Sequence, residues 1–282
     1  MAHTFIHLTH DRTTNQRGRR GRELLRVSVN KALGCIAGAE LGSNFTVVGS
    51  GTDPAAACTA GISASGSGAV GMVINGVTIT ETWATSDIVS AGLVATAIRA
   101  STDALVQYLV SATNFKAQVT LATVLAGTTI NVGGFRFTAI AGTTESNIPG
   151  EFTIGGTDTQ DGTSFCRALN QHPSASKWFF ALNVAGVCHL YLKNAANAYF
   201  TAATAGGPNF PQNRVTASAA TVTVDQATFI ASAHYGVWSL IPGKIGNAFT
   251  VAASGTGQTI ENSNTRLTRG LGGDAAPVTD NL

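Results

Sequence analysis

Val73-Ile74-Asn75-Gly76-Val77-Thr78-Ile79-Thr80 is the stretch on which the reading of this chain turns. Asn-Gly supplies the two positive φ angles of a tight type I′ turn, which matches the right-handed twist of paired strands. Val, Ile and Thr alternate on both sides of it, giving each strand one apolar and one polar face. The stretch therefore predicts a β-hairpin. Downstream, Ser86-Asp87 offers an N-cap for a helix from about Ile88 to Ser111. Leu93, Val94, Ala97, Ile98, Leu105 and Leu109 mostly recur at three and four residues, so they are expected on one buried face. Ala100 to Asp103 is a candidate break in that helix, and Gln118 to Val124 alternates as a strand.

The same order returns further along. Ile130-Asn131-Val132-Gly133-Gly134-Phe135-Arg136-Phe137-Thr138 predicts a second hairpin about Gly133-Gly134, 58 residues after the first. Asp158 and Asp161 precede a helix over about Gly162 to Asn170, and both are expected to cap it. Asp87–Ile98 matches Asp158–Leu169 at an offset of 71, so the second copy carries about thirteen extra residues before its helix. Val184 to Leu192 then predicts a strand. The expected fold is α+β and β-rich, with tandem β-hairpin–helix–strand modules and extended N- and C-terminal arms. Beyond them, Arg214 to Val224 and Phe229 to Leu240 read as strands, Pro242-Gly243 as a turn, and Ala248 to Val251 as a closing strand. The expected divisions are a basic arm (1–33), a Gly/Ala-rich extended segment (34–71) whose one good strand is Phe45 to Val48, a first module (72–126), a larger second module (127–254) and a Gly-rich, irregular C-terminal arm (255–282).

Only 11% of the 282 residues are charged, against roughly 25% in an ordinary soluble domain. With 44% hydrophobic residues, bulk disorder and coiled coil are excluded. No apolar run reaches the ~18 residues of a membrane span. So few charges suit a subunit that buries surface on several sides. The net charge of +2 hides an asymmetry. Residues 1–31 hold Arg12, Arg17, Arg19, Arg20, Arg22, Arg26 and Lys31 against Asp11 and Glu23, a net +5, and the rest of the chain is net −3. The arm suits a solvated tail, an acidic partner surface or nucleic acid. Met1 to His10 is too polar for a secretory signal.

The residues that carry chemistry elsewhere do not converge here. Cys35, Cys58, Cys166 and Cys188 form no CxxC pair and read as small buried hydrophobes, with disulfides left open to the compartment. His3, His7 and His10 lie in a strand-like segment and read as surface histidines rather than a metal site. Cys188 and His189 adjoin on one strand and so point to opposite faces. Glu145, Glu151, Asp158 and Asp161 lack the aromatic-lined groove of a glycosidase pair. Gly-x-Ser-x-Gly and Gly-Lys-Ser/Thr are both missing, and the sequence implies no enzyme, no metal and no cofactor.

The Ile74-Asn75-Gly76 hairpin, the capped Ala-rich helix and the closing run Pro242-Gly243-Lys244-Ile245-Gly246-Asn247-Ala248-Phe249-Thr250-Val251 together resemble structural proteins of tailed bacteriophage virions over about residues 70–255. A similar Ile-Asn-Gly hairpin occurs in flagellar hook-associated proteins, whose heptad-bearing terminal helices this chain lacks. The resemblance implies a non-enzymatic virion component, assembled in a host cytoplasm as a homo-oligomer with other virion proteins and no membrane partner. A tail or head–tail position is favoured, and capsid decoration (cement) is the alternative. A carbohydrate-binding or adhesion module is a further alternative, and it requires Trp83, Trp178, Tyr191 and Trp238 exposed on one face near Asp158 or Asp161.

Overall fold

Thirteen strands and three helices order the described part of the chain, which in the computed structural model comprises residues 55–64, 66–146, 148–193, 214–242, 244–261 and 267. The chain divides into Met1–Ser50 and Gly51–Leu282, and every described residue belongs to the latter. Arg12, Arg17, Arg19, Arg20, Arg22, Arg26, the three N-terminal histidines, Cys35, the segment Phe45 to Val48 and Gly243 lie outside the described residues.

Both expected turns are built as their residues dictate. Asn75 and Gly76 have φ of 51° and 84°, and Gly133 and Gly134 have φ of 56° and 87°. They close the hairpins β2 (Ala69–Ile74) to β3 (Val77–Thr82) and β5 (Thr129–Val132) to β6 (Phe135–Ala141). Helix α1 (Asp87–Ala100) follows the first hairpin, and α3 (Asp158–Gln171) follows the second. Each has fourteen residues, and their first residues stand 71 apart. Between β6 and α3 lies β7 (Glu151–Ile154), parallel to β6.

Several boundaries differ from the sequence reading. The helix expected to reach Ser111 stops at Ala100. Asp103 then caps a single turn, α2 (Ala104–Gln107), and strand β4 (Val110–Leu121) begins. The Asp103 carboxylate accepts from Leu105 N at 2.8 Å, which restarts the helix in a new direction. The strand expected over Val184 to Leu192 is two strands, β8 (Phe179–Val184) and β9 (Val187–Leu192), joined by Ala185 and Gly186 at φ of 51° and 93°. Within the Gly/Ala-rich segment, Ala55–Ile62 is a buried strand, β1. Its small residues carry little intrinsic β signal, and burial on both sides holds it extended. Likewise Gln258–Ile260, in the stretch read as irregular, is strand β13.

The remaining strands are β10 (Val215–Ala217), the long β11 (Val222–Pro242) and β12 (Val251–Gly255). One sheet has the order β13-β1-β11-β4-β9-β8, all antiparallel. A second has the order β10-β5-β6-β7 and a third β12-β2-β3. The connectivity is nested. After β4 the chain builds β5 to β10, and only then does β11 return to pair with β4 and β12 with β2. β10 likewise returns to β5, whereas β9 pairs with β8 as a local hairpin. The two long pairs β11/β4 and β9/β8 join along β4–β9 into one sheet.

The largest apolar core lies between this sheet, α3 and the β5–β6–β7 strands. Phe165 of α3 meets Phe137 and Phe152 edge-on at ring distances of 5.7 and 5.4 Å. On another part of the sheet Phe180 stacks on Tyr191 at 4.9 Å and leans on Trp238 at 5.2 Å. Gly236 permits this stack, since a Cβ there would stand 2.4 Å from the Phe180 ring.

Candidate interaction surface

Helix α1 begins where Ser86 Oγ accepts from Val89 N at 3.3 Å. Ser90 Oγ donates back to Ser86 O at 2.8 Å and accepts from Ala84 N, tightening the first turn. Asp87 accepts from the Trp83 indole at 2.8 Å and from Ala64 N at 3.3 Å, tying the helix start to the chain beyond β1. The inward face is Ser90, Ala91, Val94, Ala95 and Ile98, packed on β3, β4 and β11. The small residues on it bring the helix close to the sheet.

The outward face is also apolar. Ile88, Val89 and Leu93 are 45, 45 and 40% exposed, and on α2 and its C-cap Leu105 and Tyr108 are 51 and 68% exposed. Leu93 and Leu105 were expected on the buried face. The helix rotates so that its smallest apolar residues meet the sheet, and the break at Ser101 turns Leu105 away from it. Of nine exposed large apolar side chains among the described residues, five fall between residues 88 and 108. Exposed apolar side chains grouped in this way make the outward side of α1 and α2 the candidate interaction surface. Charged groups flank it: Asp87 at the start of α1, and Arg99 at its end, which donates to Ala112 O at 2.6 Å and Thr96 Oγ1 at 2.9 Å.

The Asn-Gly turn positions this surface as well as the hairpin. Asn75 Nδ2 donates to Leu105 O at 2.9 Å, and Asn75 Oδ1 accepts from Thr250 N at 3.1 Å. One side chain thus fixes α2 and the chain entering β12. The turn residues Gly133 and Gly134 make no such link to a helix among the described contacts, and Pro242 ends β11.

The acidic residues are absorbed by local structure. Thr157, not an aspartate, caps α3, in a capping box with Gln160. Asp158 instead accepts from Thr123 N at 2.8 Å, and buried Asp161 accepts from Gly155 and Gly156 N at 3.2 and 3.3 Å. Both therefore lie inside the first turn and hold neighbouring loops. Glu145 pairs with Arg167 and accepts from Ser164 Oγ at 2.8 Å, at the side of a polar cavity of about 210 Å³. Glu151 accepts from Ser146 Oγ at 2.7 Å. Cys58, Cys166 and Cys188 are free and buried, and burial pushes the Cys58 thiol up to about 12. Cys188 faces the main core and His189 the opposite side of β9, as alternation requires. Among the described residues no set of three or more His, Cys, Asp or Glu is placed to hold a metal, and no helix is long and apolar enough to cross a membrane.

The aromatic platform required by a carbohydrate-binding face is not formed. Tyr191 and Trp238 are buried with Phe180, and the Trp83 indole is engaged by Asp87. A scan against protein-family models found no match, and searches of curated proteins and of solved structures found none either.

Proposed function

We propose that this chain is a non-enzymatic structural subunit of a tailed-bacteriophage virion, in a tail or head–tail position, and that it self-assembles through the outward face of α1 and α2. We further read its architecture as two copies of one hairpin–helix–strand unit, the second inserted into the first between β4 and β11. The observation that carries the assembly reading is that α1 is apolar on both faces. A helix of that kind belongs inside a structure, and the sheet covers only one side of it. Removing the remaining apolar surface from water is favourable by roughly 25 cal/mol per Å².

Charge favours a second copy of the chain as the occupant. An antiparallel pairing of two α1 helices about Leu93 sets Asp87 of each beside Arg99 of the other, since both lie six residues from Leu93. Such a self-complementary contact closes under two-fold symmetry. The low charge content agrees with burial on further sides. The phage assignment itself rests on the resemblance of the hairpin, the helix and the Pro242–Val251 run.

The test is the mass of the purified chain by light scattering, with negative-stain images of the same sample. Rings or tubes that Leu93→Glu abolishes support a tail position and the α1 contact. A species that binds only preformed shells moves the chain to capsid decoration. A monomer that binds no virion component overturns the reading.

A further inference from the structure

Four strands of the six-stranded sheet bring ionisable side chains together at one place. Lys116 projects from β4, His189 from β9 and His234 from β11, and Glu261 follows directly on β13. Glu261 Oε1 is 2.9 Å from His234 Nε2, and Glu261 Oε2 is 3.7 Å from His189 Nδ1. Lys116 Nζ stands 3.5 Å from the same His189 nitrogen, and the two imidazoles meet edge-on at 5.5 Å. Lys116 and His189 are buried. Glu261 Oε2 is buried and takes no hydrogen bond among the described residues, so charge alone holds that side of the carboxylate.

The segment carrying Glu261 has little else to hold it. β13 pairs with β1 over three residues only, Ala60–Ile260, Gly61–Thr259 and Ile62–Gln258. Yet the segment joins two sheets. Gln258 accepts from Gly71 N of β2 at 2.7 Å and donates to the Tyr235 hydroxyl, and Glu261 N donates to Thr59 O at 2.9 Å. A three-residue edge strand is the kind of element that opens ahead of the rest of a fold.

We propose that Glu261, seated between His189 and His234, is an acid-releasable latch that holds β13 on the edge of β1 and, through Gln258, ties the β12-β2-β3 sheet to the six-stranded sheet. The inference is independent of what the chain assembles with. Burial, and then the Lys116 charge, hold the His189 imidazole down at about 3 against an ordinary 6.5. Burial alone would raise the Glu261 carboxyl, but the His234 hydrogen bond and the charges of His234, His189 and Lys116 bring it below its ordinary value. The latched Glu261 therefore refuses a proton that the released carboxyl accepts, and it disfavours latching as pH falls below the ordinary carboxylate value of 4.5. His189 owes its low value first to burial on β9 and is raised by the Glu261 charge, so it does not drive release. The other ionisable groups nearby are Asp225, which attracts Lys116, and Tyr191, Tyr235 and Cys58, all pushed upward by burial and neutral throughout this window.

Hydrogen–deuterium exchange of the full chain from about pH 7.5 to about pH 3, corrected for intrinsic rates, tests this. Protection of residues 258–261, lower throughout than that of β4 and β9, is expected to fall below about pH 4.5 by up to about tenfold per pH unit for the proton that Glu261 takes up. Glu261→Gln is expected to lower that protection at pH 7.5 and to flatten its pH profile. His234→Asn, which removes the imidazole at 2.9 Å, is expected to do the same and serves where the first variant does not fold. Protection of 258–261 that stays constant across the range overturns the latch. So does protection equal to that of β4 and β9 across the range, or a wild-type profile in both variants.

Discussion

Helices α1 and α3 have the same length, follow a hairpin in the same way and lean on the same sheet, yet they present opposite surfaces. α3 buries Phe165, Cys166 and Leu169 and turns Thr159, Gln160 and Gln171 outward. α1 buries Ala91, Val94, Ala95 and Ile98 and still turns Ile88, Val89 and Leu93 outward. The difference lies in size and polarity, not in helix-forming tendency. α3 is a two-faced helix whose own sheet satisfies it, and α1 has a second apolar face with no cover among the described residues. α3 is thus satisfied within the core, while α1 keeps an apolar face turned outward.

The comparison is broken most severely from inside α3. Phe165→Ala removes the ring that Phe137 and Phe152 pack against, and is expected to cost about 3–5 kcal/mol of unfolding free energy, measured by urea denaturation. Acid is the next strongest perturbation and acts on the shared sheet. Stability is expected to hold above about pH 6.5 and to decline below it by up to about 1.4 kcal/mol per pH unit, because the unfolded chain protonates His189 while the folded chain does not until about pH 3. Urea midpoints between pH 7.5 and 5 read this directly, and His189→Gln is expected to flatten the decline.

The caps sharpen the comparison. Thr157→Ala and Ser86→Ala are each expected to destabilise by about 1 kcal/mol. The loss should be larger at Thr157, whose reciprocal bond with Gln160 satisfies a second donor. Thermal melts of the two variants test the order. The smallest expected effect on the fold is that of Leu93→Glu, within about 0.5 kcal/mol for an exposed site. The same substitution is expected to abolish assembly by light scattering. A charge at Gln171 on α3 is expected to leave both unchanged, and loss of assembly there would erase the distinction between the helices.

Much of this organisation is legible in local sequence. Asn75-Gly76 and Gly133-Gly134 specify their turns because few other residues tolerate positive φ. The start of α1 is legible because an orphan N–H needs a short polar side chain before it. That of α3, expected near Gly162 behind two aspartates, lies at Asp158 behind Thr157, since the aspartates hold neighbouring loops instead. The break after Ala100 was foreseen, but its consequence, that Leu105 points to solvent, was not. Periodicity assigns an apolar face inward, and α1 has two. Nor could periodicity find β1: Ala55-Ala56-Ala57-Cys58 becomes a strand only because β11 and β13 flank it. The Lys116–His189–His234–Glu261 cluster was likewise invisible, since its members are spread from residue 116 to residue 261 and only strand pairing brings them together.

By itself, then, the sequence determined the features that depend on a few adjacent residues: two tight turns, the start of α1, alternating strands, and a basic arm before a weakly acidic body. Tertiary structure alone decided which strands meet. β4 pairs with β11 across the whole of the second hairpin–helix unit, and β12 returns to β2 from about 180 residues away. Such pairings are set by burial summed over the entire molecule rather than by local preference, because an alternating strand fits many edges. The same global sum chose which apolar face of α1 the sheet would cover and left the other outward.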